Sequence, residues 1–400
     1  MPRSEAVVDL AAITHNVATC RATTRAEVMA VVKADAYGHG LLPSARAAVA
    51  GGASWLGVAV LDEAIALRQA GFDQPVLAWL WSPAERDQVH AAVAAGIDIS
   101  VSSQRQLEVV TAVATELDGT ARVHLKIDTG LSRNGATRAD WPDLVAAAAK
   151  AAAAGQVHNV GIWSHFVYAD LPGHPTIGRQ VERFGEAVEV ARTLGVEPEL
   201  RHLANSAATL TLPQAHFDLV RPGIAVYGLS PVPEQGDFGL VPAMTVRSRL
   251  ANVKRVLAGE GVSYGHQYRL SADSTLALVP LGYADGVPRA ATNRGPVSIA
   301  GRRYRISGRV CMDQFVVDLG DDAAAEGDEV VLFGPGRHGE PTAQDWADVL
   351  DTIHYEIVSR IGARVPRSYL DAEQNQVPNQ VRNQNRNQDR NQVRDQERDH

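Results

Sequence analysis

Two cysteines in 400 residues, Cys20 and Cys311, are too few for a disulfide framework, so a reducing compartment suits this chain. Long hydrophobic runs are missing too. No stretch approaches the roughly 20 apolar residues that span a bilayer, and the opening MPRSEAVVDLAAITHNV holds no apolar run long enough for a signal peptide. A cytoplasmic location is expected, with no membrane partner. Positive charge is also short: 38 Lys and Arg stand against 46 Asp and Glu, and a net charge of −8 argues against a nucleic-acid partner, which would meet a basic face. What is present is 45% hydrophobic and 21% charged residues, the usage of an ordinary globular protein. The length exceeds one comfortable core, so two domains are expected, one of them a large α/β barrel.

Between about residues 25 and 230, short apolar runs alternate with helical patterns. VMAVVK (28–33), WLGVAV (55–60), PVLAWL (75–80) and IDISVS (97–102) suit buried parallel strands. ARVHLKID (121–128), VHNVGIWSHF (157–166), ELRHLANS (199–206) and HFDLVRPG (216–223) continue the series. Between them lie stretches apolar at helical spacing, several stopping at a glycine where a C-cap would sit. Eight such strands alternating with helices predict a (β/α)8 barrel of the TIM type over residues 11–235, with a doubly wound open sheet as the rival. After SPVPEQGDFGLVP the pattern changes to strands separated by turns, which predicts a mainly β domain over 236–370, joined by residues 1–10. One helix is expected near 342–362. Residues 371–400 are of low complexity, with Arg382, Arg386, Arg390, Arg394 and Arg398 every fourth residue; almost devoid of apolar side chains, they are expected to remain disordered.

The stretch VVKADAYGHG sets Lys33 at the end of the first strand. In a parallel barrel, catalytic groups stand where strands end. A lysine merely snorkelling from a strand end is the plain alternative, but a partly desolvated lysine near other cations loses basicity and serves as a Schiff-base nucleophile. The fifth strand closes on Lys126, Asp128 and Arg133, the sixth on His165, the seventh on Ser206, and the eighth on Arg221, Gly223 and Ile224. A glycine-bearing loop after the last strand is where barrels tend to hold phosphate.

These strings resemble the alanine racemase family. VVKADAYGHG is similar to its pyridoxal-phosphate attachment motif, and KIDTGLSRNG, ANSAA, RPGIAVYG, SYG (263–265), GYADG, GRVCMDQ and YEIVSRIGARVPR follow in family order to about residue 370. The resemblance implies a barrel plus β domain, pyridoxal 5'-phosphate as cofactor, no metal, and a homodimer with composite active sites. It implies that Lys33 forms the internal aldimine and acts as one base, and that Tyr264, supplied by the other subunit, is the second. Racemisation removes the α-proton from one face and returns one to the other, a task one fixed side chain serves poorly.

The same resemblance implies that Tyr37, Ser206, Tyr355 and the backbone N–H groups of Gly223 and Ile224 hold the phosphate. Arg221 would face the pyridine nitrogen, with His165 beside the ring. A guanidinium does not readily hand over a proton, which weakens the ring as an electron sink and favours racemisation over transamination. Arg133 and the backbone N–H of Met312 would meet the substrate carboxylate. Lys126 matches a position often carbamylated in the family, while an unmodified Lys126 facing Asp128, and an Arg133–Asp128 salt bridge, are the plain alternatives. Tyr355 crowds the space beyond the substrate β-carbon, which implies alanine, with serine as a secondary substrate.

Overall fold

A computed structural model describes residues 3–370; the arginine-striped segment lies outside the described residues. The chain opens with β1 (Ser4–Asp9) and a helix, Leu10–Ala22, capped by Asp9, whose carboxylate accepts from the Ala12 N–H. Eight parallel strands follow: β2 (Glu27–Val31), β3 (Trp55–Val58), β4 (Val76–Ala78), β5 (Asp98–Val101), β6 (Ala121–Lys126), β7 (Val157–Trp163), β8 (Leu200–His202) and β9 (Leu219–Val220). Each pairs with the next from β2 to β8, and β9 pairs back with β2. The last seam, between β8 and β9, is bridged where the Asp218 N–H donates to the Arg201 carbonyl (3.0 Å) and the Arg221 N–H to the Ala204 carbonyl (2.9 Å). The sheet therefore runs round a nearly closed barrel, which excludes the open doubly wound sheet.

β3, β4 and β5 are buried at every residue because helices cover their outer faces, which is why they read as unbroken apolar runs. The covering helices end as their glycines suggest. Gly71, at φ +81°, follows Leu61–Gln69, and the next N–H, from Phe72, returns to the Leu67 carbonyl.

The β region has β10 (Met244–Arg249), β11 (Asn252–Val256), β12 (Gly261–Val262), β13 (Tyr268–Arg269), β14 (Ser274–Val279), β15 (Pro296–Ile299), β16 (Arg302–Arg305), β17 (Phe315–Asp318), β18 (Glu329–Phe333) and β19 (Arg367–Leu370). A six-stranded sheet runs β16-β15-β18-β10-β1-β19, so both ends of the described chain meet in it. A three-stranded sheet, β11-β14-β17, faces it across a core that includes Phe315, Val317, Leu332 and Trp346. β10 alternates buried and half-buried residues, as a one-faced antiparallel strand should.

Where one helix was expected near 342–362, there are two, Ala343–Leu350 and His354–Ser359. Thr342 and Asp345 cap the first reciprocally, and it stops because Asp351 turns left-handed at φ 55° while the Thr352 N–H closes on the Ala347 carbonyl. The second is thereby free to lean on the barrel mouth.

Candidate active site

β2 ends at Val31, two residues earlier than the strand read from the sequence, and Lys33 opens a turn of an unusual kind. Ala34, Asp35, Ala36 and Tyr37 all have φ between 52° and 55°, one turn of left-handed helix without a glycine in it. Such residues cost about 1–2 kcal/mol each. The surroundings hold them there: Glu63 accepts from the Asp35 N–H (3.2 Å), the Asp35 carboxylate from the Leu41 N–H (2.7 Å), and Arg367 of β19 donates to the Gly38 carbonyl (2.9 Å). The turn places Lys33 half-buried, with its ammonium 5.9 Å from the ring centres of both Tyr37 and Trp79. Burial and the Arg133 guanidinium lower the pKa of Lys33, against the pull of Glu63.

Arg221, which follows β9, is 4% exposed, and both its terminal nitrogens have partners. It donates to the Ser164 carbonyl (2.8 Å) and, through the same nitrogen, faces His165 Nδ1 at 3.3 Å. Burial pulls its pKa down to about 9, which still leaves it a cation at neutral pH. His165 is neutral there, held well below its ordinary value by burial and by Arg221. Because a guanidinium only donates, His165 Nδ1 must be an acceptor.

Beside these groups lies a cup. Ser206 Oγ, at the start of helix Ser206–Thr211, accepts from the Gly223 N–H at 2.7 Å. A Cβ on Gly223 would sit 2.3 Å from the Tyr37 hydroxyl, so glycine alone lets that hydroxyl close against the backbone. The Tyr37 and Tyr355 rings are 6.3 Å apart, the second carried by the His354–Ser359 helix. Burial raises both phenols, so both remain O–H donors at neutral pH. Three hydroxyls, the amides of a glycine loop, a half-buried amine and a buried cation fit a phosphorylated aldehyde.

Lys126, at the end of β6, is buried with its ammonium 4.1 Å from the Trp163 ring centre. Burial, Arg221 and Arg133 pull its pKa down to about 7. Asp128 forms no ion pair with Arg133 among the described residues; its carboxylate Oδ1 accepts from the N–H groups of Gly130, Leu131 and Ser132 and shapes the loop. Arg133 is exposed at the rim. Tyr264 is 70% exposed and Met312 is 53% exposed, both on loops of the β region. The GYADG loop backs the latter, with Ala284 donating to the Met312 carbonyl at 3.0 Å.

Sequence reading passed over Asp98, His124, His202 and Trp163, which fill the barrel interior beneath Arg221. A signal was available: His124 and Lys126 are two apart on one strand and so face the same side, inward.

A nearly closed parallel barrel with an amine, a cation and a cup of hydroxyls and amides at its C-terminal mouth, backed by a β domain, defines an enzyme of the barrel class. Residues 8–231 match the family model of the alanine racemase N-terminal domain, and 243–369 that of the alanine racemase C-terminal domain. The alanine racemase of Salinispora arenicola is 60% identical over 370 residues, covering 92% of this chain and 99% of that protein. The crystal structure of the alanine racemase from D-cycloserine-producing Streptomyces lavendulae is similar with a TM-score of 0.91 at 54% identity, covering 92% of this chain and 98% of that one. That of Corynebacterium glutamicum gives 0.82 at 39% identity, with coverage of 92% and 100%. The chain belongs to the alanine racemase family, a family of isomerases.

Proposed function

We propose that this protein interconverts L- and D-alanine, using pyridoxal 5'-phosphate, and so supplies D-alanine for peptidoglycan in the cytoplasm. The observation that carries this reading is the convergence of Lys33, Arg221 and the cup of Tyr37, Ser206, Gly223 and Tyr355 at one barrel mouth. When bound, the cofactor would supply an electron sink for the carbon that loses its proton. The Lys33 amine would hold the cofactor at its aldehyde, and it would take or return the substrate α-proton on one face. Its lowered pKa suits that work near neutral pH. Tyr37, Ser206, Tyr355 and the amides of Gly223 and Ile224 would hold the phosphate, with Gly223 exchanging its bond to Ser206 for one to the anion. Arg221, with His165 accepting from it, would present a permanent cation to the pyridine nitrogen.

Tyr264 is the second base in this reading, contributed by a second copy of the chain. Its 70% exposure, with that of Met312, supports a surface that becomes a site only on pairing. The exposed Arg133 and the Met312 N–H would meet the substrate carboxylate. Lys126, with its pKa about 7, has the neutral amine that reaction with carbon dioxide requires, and the resulting anion would sit among Arg133, Arg221 and Lys33. The test is purified protein with L- or D-alanine and chiral analysis of the products. A yellow protein that racemises both enantiomers is expected, with colour and activity both lost in Lys33→Ala. A yellow wild type that leaves each enantiomer unchanged refutes the reading.

A further inference from the structure

A chain of buried polar groups climbs the barrel interior from its N-terminal end to Arg221. Arg122 donates from Nε to Asp98 Oδ1 (2.7 Å) and from Nη2 to Oδ2 (3.2 Å). Oδ2 of Asp98, the first residue of β5, lies 3.1 Å from His124 Nε2. His124 Nδ1 lies 2.9 Å from His202 Nε2, and His202 Nδ1 lies 3.2 Å from Arg221 Nη1. Asp98, His124 and His202 are each fully buried. Barrel interiors are ordinarily filled with branched aliphatic side chains, and packing needs none of these.

The polarity of the chain follows from its two ends. An ionised carboxylate only accepts, so His124 carries its proton on Nε2 and offers Nδ1 as an acceptor. His202 must then donate from Nε2, which leaves its Nδ1 lone pair facing a guanidinium that only donates. The His124 and Arg122 hydrogen bonds hold the Asp98 carboxyl below its ordinary value although burial opposes them, and burial with Arg221 keeps His202 neutral. Trp163 stacks on His202 with planes 6° apart and fixes the ring.

We propose that Asp98 is a remote positioning residue for Arg221, setting the tautomers of His124 and His202 so that Nη1 of the guanidinium finds an acceptor and the group stays aimed at the barrel mouth. This rests on the reading of Arg221 as the group facing the cofactor ring. Asp98→Asn tests it. Arg122 offers only donors, so the amide turns its oxygen to Arg122 and its NH2 to His124 Nε2. Every bond above then reverses, and His202 Nδ1–H meets the Arg221 donors. Adding Arg122→Leu frees the amide to turn its oxygen toward His124 and restores the original polarity.

The measurements, made on the cofactor-loaded enzyme, are histidine 15N NMR for the tautomers, and kcat, KM and the ratio of racemisation to transamination. Expected in Asp98→Asn are both rings protonated on Nδ1, kcat lower by about tenfold or more with KM little changed, and a larger transamination share. The Arg122→Leu double variant should regain the wild-type tautomers and most of kcat, which a merely structural role for Asp98 would not produce. Unchanged tautomers in Asp98→Asn overturn the proposal, as do reversed tautomers with wild-type kcat and product ratio. If the wild type does not racemise alanine, the functional reading falls alone, because the tautomers still report on the chain.

Discussion

Lys126 lies under the Trp163 ring with two guanidinium groups near it, and an ammonium there is disfavoured twice over, by lost hydration and by like charge. With a pKa of about 7 it is about one-tenth neutral at pH 6 and about nine-tenths neutral at pH 8. Only the neutral amine attacks carbon dioxide. Protein equilibrated with 13C-bicarbonate should therefore show a carbamate resonance that grows as pH rises through 7 and is missing in Lys126→Arg. A signal equal in the variant would place the label elsewhere. Residue types at strand ends were legible in the sequence because strands end where side chains meet the mouth. The buried histidines were not, because a histidine in a strand reads the same whether it faces a helix or the barrel axis.

The left-handed turn at 34–37 is the element that most constrains the site, since it sends Lys33 and Tyr37 toward the same mouth. Ala34 is exposed, so substitutions there report backbone conformation with little change in packing. Ala34→Val should destabilise the protein by about 1–2 kcal/mol, because a β-branched side chain resists positive φ. Ala34→Gly should stabilise it or leave it unchanged, its relief at positive φ set against a loss of about 0.4–1 kcal/mol through the unfolded chain. Denaturant midpoints of the three proteins measure this. Equal losses for both variants would rule out the left-handed assignment. Nothing in KADAY signals such a turn, since four residues without a glycine favour the right-handed form. Contacts from Glu63 and Arg367, about 30 and 330 residues away in sequence, decide it instead.

At the scale of the whole molecule, the proposed site needs two chains. Lys33→Ala and Tyr264→Phe homodimers should each be nearly inactive. Mixing them under subunit exchange should restore up to about a quarter of wild-type activity, since half the dimers pair one intact site with one doubly impaired site. No recovery despite exchange shown by mass spectrometry would mean that Lys33 and Tyr264 act from the same chain. The sequence by itself determined the alternation of strand and helix, the change to a β region and the residue types that stand near strand ends, because these depend on local periodicity and on residue type. Only the tertiary structure decided that the barrel closes β9 onto β2, that β1 and β19 join one sheet, and that an aspartate at the foot of the barrel connects to an arginine at its mouth. Each of these brings together residues far apart in the chain, and no local pattern carries information about a contact whose partner lies a hundred residues away.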